Sequence, residues 1–546
     1  MYSIFLRTLL MRFLKEMVIC HRYLNLPVKY DAPKSKVSFL IKGKFVKGFE
    51  IGLADGEPDF WVFSDVGNFL GKKIKIQVDT ASTVALDLVT QSDSFKDEEI
   101  LYREKYRPQI HFSSRRGWNN DPNGLVFYRG EYHLFYQHNP YGWNHGNMHW
   151  GHAVSTDLVF WKELNDALEP DGLGTIFSGS AVVDWGNTAG FQTGDEKVIV
   201  LVYTSAGGTS AESQGRPFAQ SIAYSNDRGR MWTKYEHNPV LPCVEKFNRD
   251  PKVIWHEPSG KWTMALYLDK NDYGLFSSPN LKQWEQTCRI TVPGASECPD
   301  LFKLPVDGNP SNTKWVFWCA NGSYLLGTLD GRTFLQEGEA QRFDWGGDGY
   351  AAQTWSDIPN SDGRRIQIAW LRVNLPDMPF NQQMTFPYEL GLRTTSEGVR
   401  LVNTPVEEVK KLHGKRHVWE DIDLSPGENL LKGIDGDLFD IRAEFRAGEA
   451  SEFGFNVRGI AVTYDAKRRR LTCLGKCVPL VPMEGKIRLR FLVDKASIEV
   501  FGDDGGVSLP IGVIPEDINR SLGVFTKGGK TRIDMLEVFE LCSAWT

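Results

Sequence analysis

The sequence predicts an all-β protein, and three observations predict it. Short runs of period-two hydrophobic alternation, broken by Gly-, Asn-, Asp- and Pro-bearing turns, recur along the chain. Between residues 107 and 400 a loose motif returns at intervals of roughly 50–70 residues, the spacing of four-stranded propeller blades with inserted loops. Helical patterning is nearly confined to one short stretch near residue 405. At 546 residues the chain exceeds what one core usually holds, so several β domains in series are expected.

Residues 1–16 read as an extension. Arg7, Arg12, Lys15 and Glu16 interrupt the apolar positions, and the longest uncharged run there is Met1 to Leu6. That is too short for a signal-peptide core or a membrane span, though an amphipathic surface helix is open to it. The expectation is an upstream extension before a second start at Met17. Residues 17–104 follow as a small sandwich-like accessory module. Its strands are Lys36–Ile41, Phe45–Leu53, Phe60–Phe63 and Lys73–Val78.

The domain at 105–400 carries the repeat. Ser155-Thr156-Asp157-Leu158-Val159-Phe160-Trp161 resembles Ser225-Asn226-Asp227-Arg228-Gly229-Arg230-Met231-Trp232 and Ser277-Ser278-Pro279-Asn280-Leu281-Lys282-Gln283-Trp284. Thr328-Leu329-Asp330-Gly331-Arg332-Thr333-Phe334 is a fainter copy. Each follows a hydrophobic strand and ends on an aromatic ring, which favours propeller blades over unrelated turns; Asp157, Asp227 and Asp330 read as turn formers. Residues 401–414 read as a helical linker, with Pro405 at its start and Gly414 at its end. From 415 to 546 the β pattern returns as a second sandwich, through Phe439–Phe445, Ile487–Val493, Ser497–Phe501 and Leu522–Phe525.

Composition excludes more than it assigns. A net charge of −6 argues against a nucleic-acid surface and says little about a neutral substrate. An aromatic share of 12 %, with 17 Trp, suits sugar faces but also suits many β proteins. The eight cysteines form no Cys-x-x-Cys pair and stand beside no His cluster, so no metal is expected. His149 and His152 read as packing residues, and Lys467-Arg468-Arg469-Arg470 as an exposed turn.

The chemistry lies in three acidic motifs. In Trp118-Asn119-Asn120-Asp121-Pro122-Asn123-Gly124, Pro and Gly restrict the backbone and are expected to hold the carboxylate at a strand-to-turn corner. Arg249-Asp250-Pro251 and Glu297-Cys298-Pro299-Asp300 place an acid beside further strands. In a propeller, acids at inner-strand ends point into one funnel. Glycoside hydrolysis needs one carboxylate as nucleophile and one carboxylic acid of raised pKa to protonate the leaving oxygen. A third acid, kept ionised by a neighbouring Arg, can hold sugar hydroxyls. Each motif alone is weak, because Asp before Pro is usually a turn starter.

As an ordered set these motifs resemble glycoside hydrolase family 32, the β-fructofuranosidases, invertases, inulinases and levanases. The set includes Phe135-Tyr136-Gln137, His149-Trp150-Gly151-His152, Phe177-Ser178-Gly179-Ser180, Ala351-Ala352-Gln353-Thr354, Ile368-Ala369-Trp370 and Val493-Asp494-Lys495-Ala496-Ser497-Ile498-Glu499-Val500-Phe501. The resemblance spans about residues 105 to 546 and leaves the first hundred residues outside the common core. It implies a five-bladed β-propeller followed by a C-terminal β-sandwich. It also implies a retaining, exo-acting β-fructosidase working without cofactor or metal on sucrose, inulin or levan. Asp121 would be the nucleophile, Glu297 the acid/base, and Asp250, beside Arg249, the transition-state stabiliser. Trp118, Asn120, Gln137, Phe177, Ser178 and Trp370 would surround the fructose, with Trp143 and His145 at the wall.

Two departures stand out. Asn119 occupies a position where many members carry Met, which is expected to alter packing rather than chemistry. His145-Gly146-Asn147 stands where many members carry Trp-Gly-Asn, with Trp143 two residues earlier. His145 either tunes substrate choice or merely packs while Trp143 swings in. Asp344 and Asp348, in a Gly-rich loop, either edge the pocket or face solvent. Two alternatives to hydrolysis stay open: a fructosyltransferase using the same site, and a non-catalytic fructan-binding protein. No nucleic-acid or membrane partner is expected and a homo-oligomer is left open. The reading leans to an intracellular protein as the sequence stands, and to a secreted or periplasmic one if the true start lies elsewhere.

Overall fold

The computed structural model describes residues 11–80, 84–343, 346–516 and 519–545. The N-terminal region forms two sheets face to face. One runs Met11–Val18, Lys73–Thr80, Ser35–Ile41 and Lys44–Ile51 in spatial order; the other runs Phe60–Asp65, Tyr23–Val28 and Thr90–Ser92. Leu24, Leu26, Val37, Phe39, Ile74, Ile76 and Val78 fill the space between them. The first strand starts at Met11, so residues 11–16 belong to the sheet and not to an extension. Arg12 and Glu16 lie on the solvent side of an edge strand, pairing with Asp79 and Lys73, while Phe13 and Met17 pack inward and Lys15 on that same face donates to the Leu86 and Val89 carbonyls. Residues 1–10 lie outside the described residues.

Five antiparallel blades follow. Their inner strands are Gly117–Tyr128, Thr175–Asp184, Arg249–His256, Asp300–Val306 and Gly349–Thr354, and neighbouring inner strands contact one another around the ring. The repeated motif is the turn from the third strand to the outer strand of the first four blades. In each, one side-chain oxygen accepts two consecutive backbone N–H groups: Asp157 from Val159 and Phe160, Asp227 from Arg230 and Met231, Asn280 from Lys282 and Gln283, Asp330 from Arg332 and Thr333.

The inner strands are deliberately irregular. The ladder slips at Asn119/Pro122, at Phe177/Gly179, at Arg249/Lys252 and at Tyr350/Gln353. Asp250, Glu297 and Ala351 take left-handed backbone angles of φ 63°, 59° and 53°. Such bulges turn a side chain out of the sheet and toward the ring axis. In the second blade a glycine does the work, since a Cβ at Gly179 would lie 2.0 Å from the Val202 carbonyl oxygen. Asp121 therefore sits on a bulge inside a strand rather than at the strand-to-turn corner expected. Beneath the acids a buried ion pair joins three blades. Lys252 Nζ lies 3.1 Å from Asp300 Oδ1 and donates to the Thr354 carbonyl, and the Thr354 N–H donates to Asp300 Oδ2.

Residues 401–405 belong to the outer strand of the fifth blade, Gly398–Pro405, and only Glu407–Leu412 are helical, as 3-10 turns. The chain then forms a six-stranded and a five-stranded sheet packed around Phe439, Phe445, Phe453, Phe455, Phe491 and Val500. One hairpin of this sandwich reaches the propeller. Asp494 accepts from the N–H groups of Gln109 and Ile110 and pairs with His111 at 2.8 Å. Glu499 accepts from the Phe386 N–H and the Tyr388 hydroxyl, at 3.1 and 2.8 Å.

Candidate active site

Asp121 is half-buried among neutral donors. The Ser178 hydroxyl donates to Oδ2 at 2.6 Å, within the short range of charge-assisted bonds, and Asn120 Nδ2 donates to Oδ1 at 3.1 Å. Asn120 is itself held by Trp118, whose Nε1 donates to its Oδ1 at 2.7 Å.

Cys298 brings the three acids together. It follows Glu297, its N–H donates to Asp250 Oδ2 at 3.2 Å, and its thiol lies 3.5 Å from Asp121 Oδ2. Arg249 spans two of the acids, donating through Nη2 to Glu297 Oε1 and placing Nε 3.6 Å from Asp250 Oδ2. The other Glu297 oxygen accepts from the Tyr350 hydroxyl. Thr204 Oγ1 accepts from the Asp250 N–H at 3.0 Å and fixes that bulge.

These contacts set where protons reside. Burial pushes Asp250 up to about 7; Arg249 acts against that rise, and the charges of Glu297 and Asp121 add to it. Burial also raises Asp121, with Ser178 and Asn120 opposing. Glu297 differs from the expectation of a raised acid. Burial pushes it up too, but the Tyr350 hydroxyl and Arg249 outweigh burial and hold it below the ordinary value. The Tyr350 hydroxyl contributes most to that lowering, and Arg249 adds to it because its guanidinium leans closer to Glu297 than to Asp250. Burial, then the Asp121 charge, drive the Cys298 thiol well above its usual range.

The remaining residues fall in three groups. Trp118 and Trp370 meet edge to face at 5.9 Å, and Trp370 meets Tyr350 at 6.2 Å. Arg372 lies 4.2 Å over Tyr350 and 5.2 Å over Trp370, and Gln382 Oε1 accepts from Trp370 Nε1. On the other side His145 and Phe177 meet edge to face at 6.2 Å. Burial lowers the His145 pKa, against the nearby Asp121 charge. Gln137 is buried and donates to the Ile176 carbonyl, tying the first blade to the second. Trp143 is turned to the N-terminal module, its ring 5.5 Å from Tyr30. Asn119 is fully buried within the inner strand of the first blade.

Sequence reasoning missed Tyr350, Arg372, Thr204 and the contacts of Cys298. Tyr350 directly precedes the Ala351-Ala352-Gln353-Thr354 motif, which is the one signal that could have found it. Asp348 accepts from Lys476 and from the Gly512 N–H, so it anchors the sandwich; Asp344 lies outside the described residues. His152 shares a 3.0 Å contact with His133 in the first blade, and His149 bonds the Asn147 carbonyl. Among the described residues no group of three or more His, Cys, Asp or Glu is arranged to hold a metal ion. None of their helices is long and apolar enough to cross a membrane.

A five-bladed ring with three acids converging at one end, walled by indoles and a phenol, defines a carboxylate-based glycoside hydrolase. Comparisons with known proteins carry this further. Residues 111–405 match the glycosyl hydrolases family 32 N-terminal domain and residues 408–540 the glycosyl hydrolases family 32 C terminal. A levanase of Bacillus subtilis (strain 168) is 41% identical over 522 residues, covering 87% of this chain and 76% of its own. An extracellular exo-inulinase of Aspergillus ficuum is 33% identical over 522 residues, covering 81% and 96%. The crystal structure of an Aspergillus awamori exo-inulinase superimposes with a TM-score of 0.74 at 31% identity, covering 81% of this chain and 100% of its own. A fructofuranosidase of Schwanniomyces occidentalis complexed with fructosylnystose does so with 0.73 at 26%, covering 81% and 99%. The chain belongs to glycosyl hydrolase family 32.

Proposed function

We propose that the protein is an exo-acting β-fructosidase that releases terminal β-D-fructofuranosyl units from sucrose and fructans with retention of configuration. The observation that carries this is the pair of contacts from Cys298 to Asp250 and Asp121, which, with Glu297 next to it in the chain, brings three acids together. The names of the similar levanase and exo-inulinase, and the fructosylnystose held by a solved neighbour, support the substrate class.

An Asp121 carboxylate oxygen attacks C2 of the fructosyl unit while the C2–O glycosidic bond breaks, and the proton of Glu297 passes to the leaving oxygen. Water then gives a proton to Glu297 and its oxygen to C2, releasing Asp121. Two inversions restore the starting configuration. Asp250, in contact with Arg249, accepts hydrogen bonds from the sugar hydroxyls. In the empty site Glu297 holds its proton weakly. A bound sugar excludes water from its carboxyl and competes for the face held by Tyr350, and both effects raise its proton affinity.

The test is incubation of the purified protein with sucrose, inulin and levan, resolving products over time, beside Asp121→Asn. Fructose as the first and dominant product, with kcat lowered roughly a thousandfold or more in the variant, is expected. Dominant growth of longer oligosaccharides at high sucrose would overturn hydrolysis in favour of transfer. Full sugar release by Asp121→Asn would overturn the assignment of the nucleophile.

A further inference from the structure

The family match begins at residue 111, and the solved neighbours, covered over 99–100% of their own length, account for only 81% of this chain. The N-terminal module is therefore outside what those proteins explain. It is nonetheless packed and hydrogen-bonded against the propeller. Tyr141 of the first blade stacks on Phe49 at 3.7 Å within the module's own core. Lys36 pairs with Glu212 and Lys47 with Glu169, each at 2.8 Å. The Glu50 backbone exchanges two hydrogen bonds with Asn147.

Two cavities lie at this junction. The larger, of about 460 Å³, is lined by cations and carboxylates paired with one another, as in Arg115–Glu163 and His138–Asp166. The smaller, of about 270 Å³, has the module on one side, with Lys34, Lys36, Phe49 and Glu50, and the second blade with Thr175 and Ala211 on the other. Its remaining wall includes His145 and Phe177, which are the rim of the catalytic funnel. Phe177 directly precedes Ser178, the donor to Asp121, and His145 lies close enough to feel the charges of both Asp121 and Lys34.

We propose that this smaller cavity is a distal sugar subsite, built jointly by the N-terminal module and the second blade, that holds the part of a fructan lying beyond the bond being cut. The inference rests on the β-fructosidase reading and extends it to the module. The cavity's chemistry fits a neutral polyol. Glu50 and Glu212 offset Lys34 and Lys36, so an anion gains little there. The Thr175 and Thr209 hydroxyls bond each other and Asn147 bonds Glu50 and Asn139, so Lys34, Glu50 and His145 are left to meet sugar hydroxyls, while the half-buried Phe177 ring suits the C–H face of a furanose. The volume is just below the roughly 300–1,000 Å³ of drug-sized sites, room for one or two sugar units. Ion pairs, a ring stack and hydrogen bonds already join the two walls without a ligand, which reduces the ordering that binding requires.

The test compares kcat/KM on sucrose with kcat/KM on inulin and levan oligosaccharides of increasing length. It uses the full-length chain and two variants, Lys34→Ala on the module and Ala211→Trp on the blade. Both positions are exposed, and the new indole fills the cavity. Each variant is expected to lower the fructan-to-sucrose ratio about two- to tenfold, mainly through KM, at an unchanged melting temperature. The same ratio in both variants as in the wild type overturns the subsite while leaving the β-fructosidase reading intact. Release of fructose by the wild type from neither substrate sinks both.

Discussion

Arg249→Met removes the cation closest to two of the acids while keeping most of the side-chain volume. Its Nη2 donates to Glu297, its Nε lies 3.6 Å from Asp250, and its guanidinium sits 4.6 Å from the Tyr267 ring centre. A hydrogen bond to a charged group contributes about 1.5–3 kcal/mol. Glu297 is 32% exposed, so water screens part of this and the lower end applies. About 1.5 kcal/mol corresponds to roughly a tenfold loss of kcat/KM. The pH dependence is the sharper readout. Arg249 lowers the proton affinity of both carboxylates, and Asp250 sits at about 7 even with that help. Without it both rise. The rising limb of the pH profile, set by groups that must be ionised, moves to higher pH. The falling limb, set by the acid that must be protonated, moves the same way. Arg249→Lys keeps the charge but not the fork, so it should return the profile toward its place with only part of the rate. Profiles of kcat/KM on sucrose from pH 4 to 9 for the three proteins decide it. A methionine variant whose profile stays put, or moves to lower pH, would refute the electrostatic account.

Further outcomes follow from the same geometry. His145→Trp should change the ratios of specificity constants among sucrose, inulin and levan, because its ring faces Phe177 near Asp121; equal ratios would reduce His145 to a packing residue. Cys298 should resist iodoacetamide at pH 8 in the folded protein while the exposed Cys20, Cys477 and Cys542 label, and mass spectrometry showing early modification of Cys298 would contradict its burial. His111 is raised to about 9 by Glu499 and Asp494, which overcome the lowering effect of burial. A folded value above the ordinary one makes its contribution fully present below about 6.5 and lost as pH climbs through about 9, at most about 3 kcal/mol. Melting temperatures from pH 6 to 10 should fall more steeply for the wild type than for His111→Gln; parallel curves would exclude this linkage.

Much of this was legible in the residues themselves. Period-two runs marked the strands, and the Asp or Asn before each aromatic marked a recurrent turn because its oxygen has a fixed local task. The acids stood out by their Pro and Asn neighbours. What stayed hidden depends on pairing across blades. Tyr350 reaches Glu297 from the fifth blade to the fourth, and no spacing along the chain reports that approach. The low proton affinity of Glu297 was invisible for the same reason, since it depends on that Tyr350 hydroxyl and then on which carboxylate Arg249 favours. The strand Met11–Val18 was concealed by its charges, which break an apolar run although Arg12 and Glu16 suit the outer face of an edge strand and Lys15 finds two carbonyls on the inner one.

Among the described residues, the strand pairing across the seam of the ring is slight. Phe380–Asn381 runs beside Gly117–Trp118, and Val126 makes a single bridge to Ser356. The last blade takes no strand from the first to lock it. The hairpin with Asp494 and Glu499 grips the segment before the first blade and the fifth blade at once, as a clasp does a bracelet. Every acid of the site has left the ribosome long before that clasp is made. A nascent chain halted after Pro405 would carry all three acids on a ring whose seam has only that slight pairing, and the domain that fastens it, which contributes none of them, comes last in synthesis.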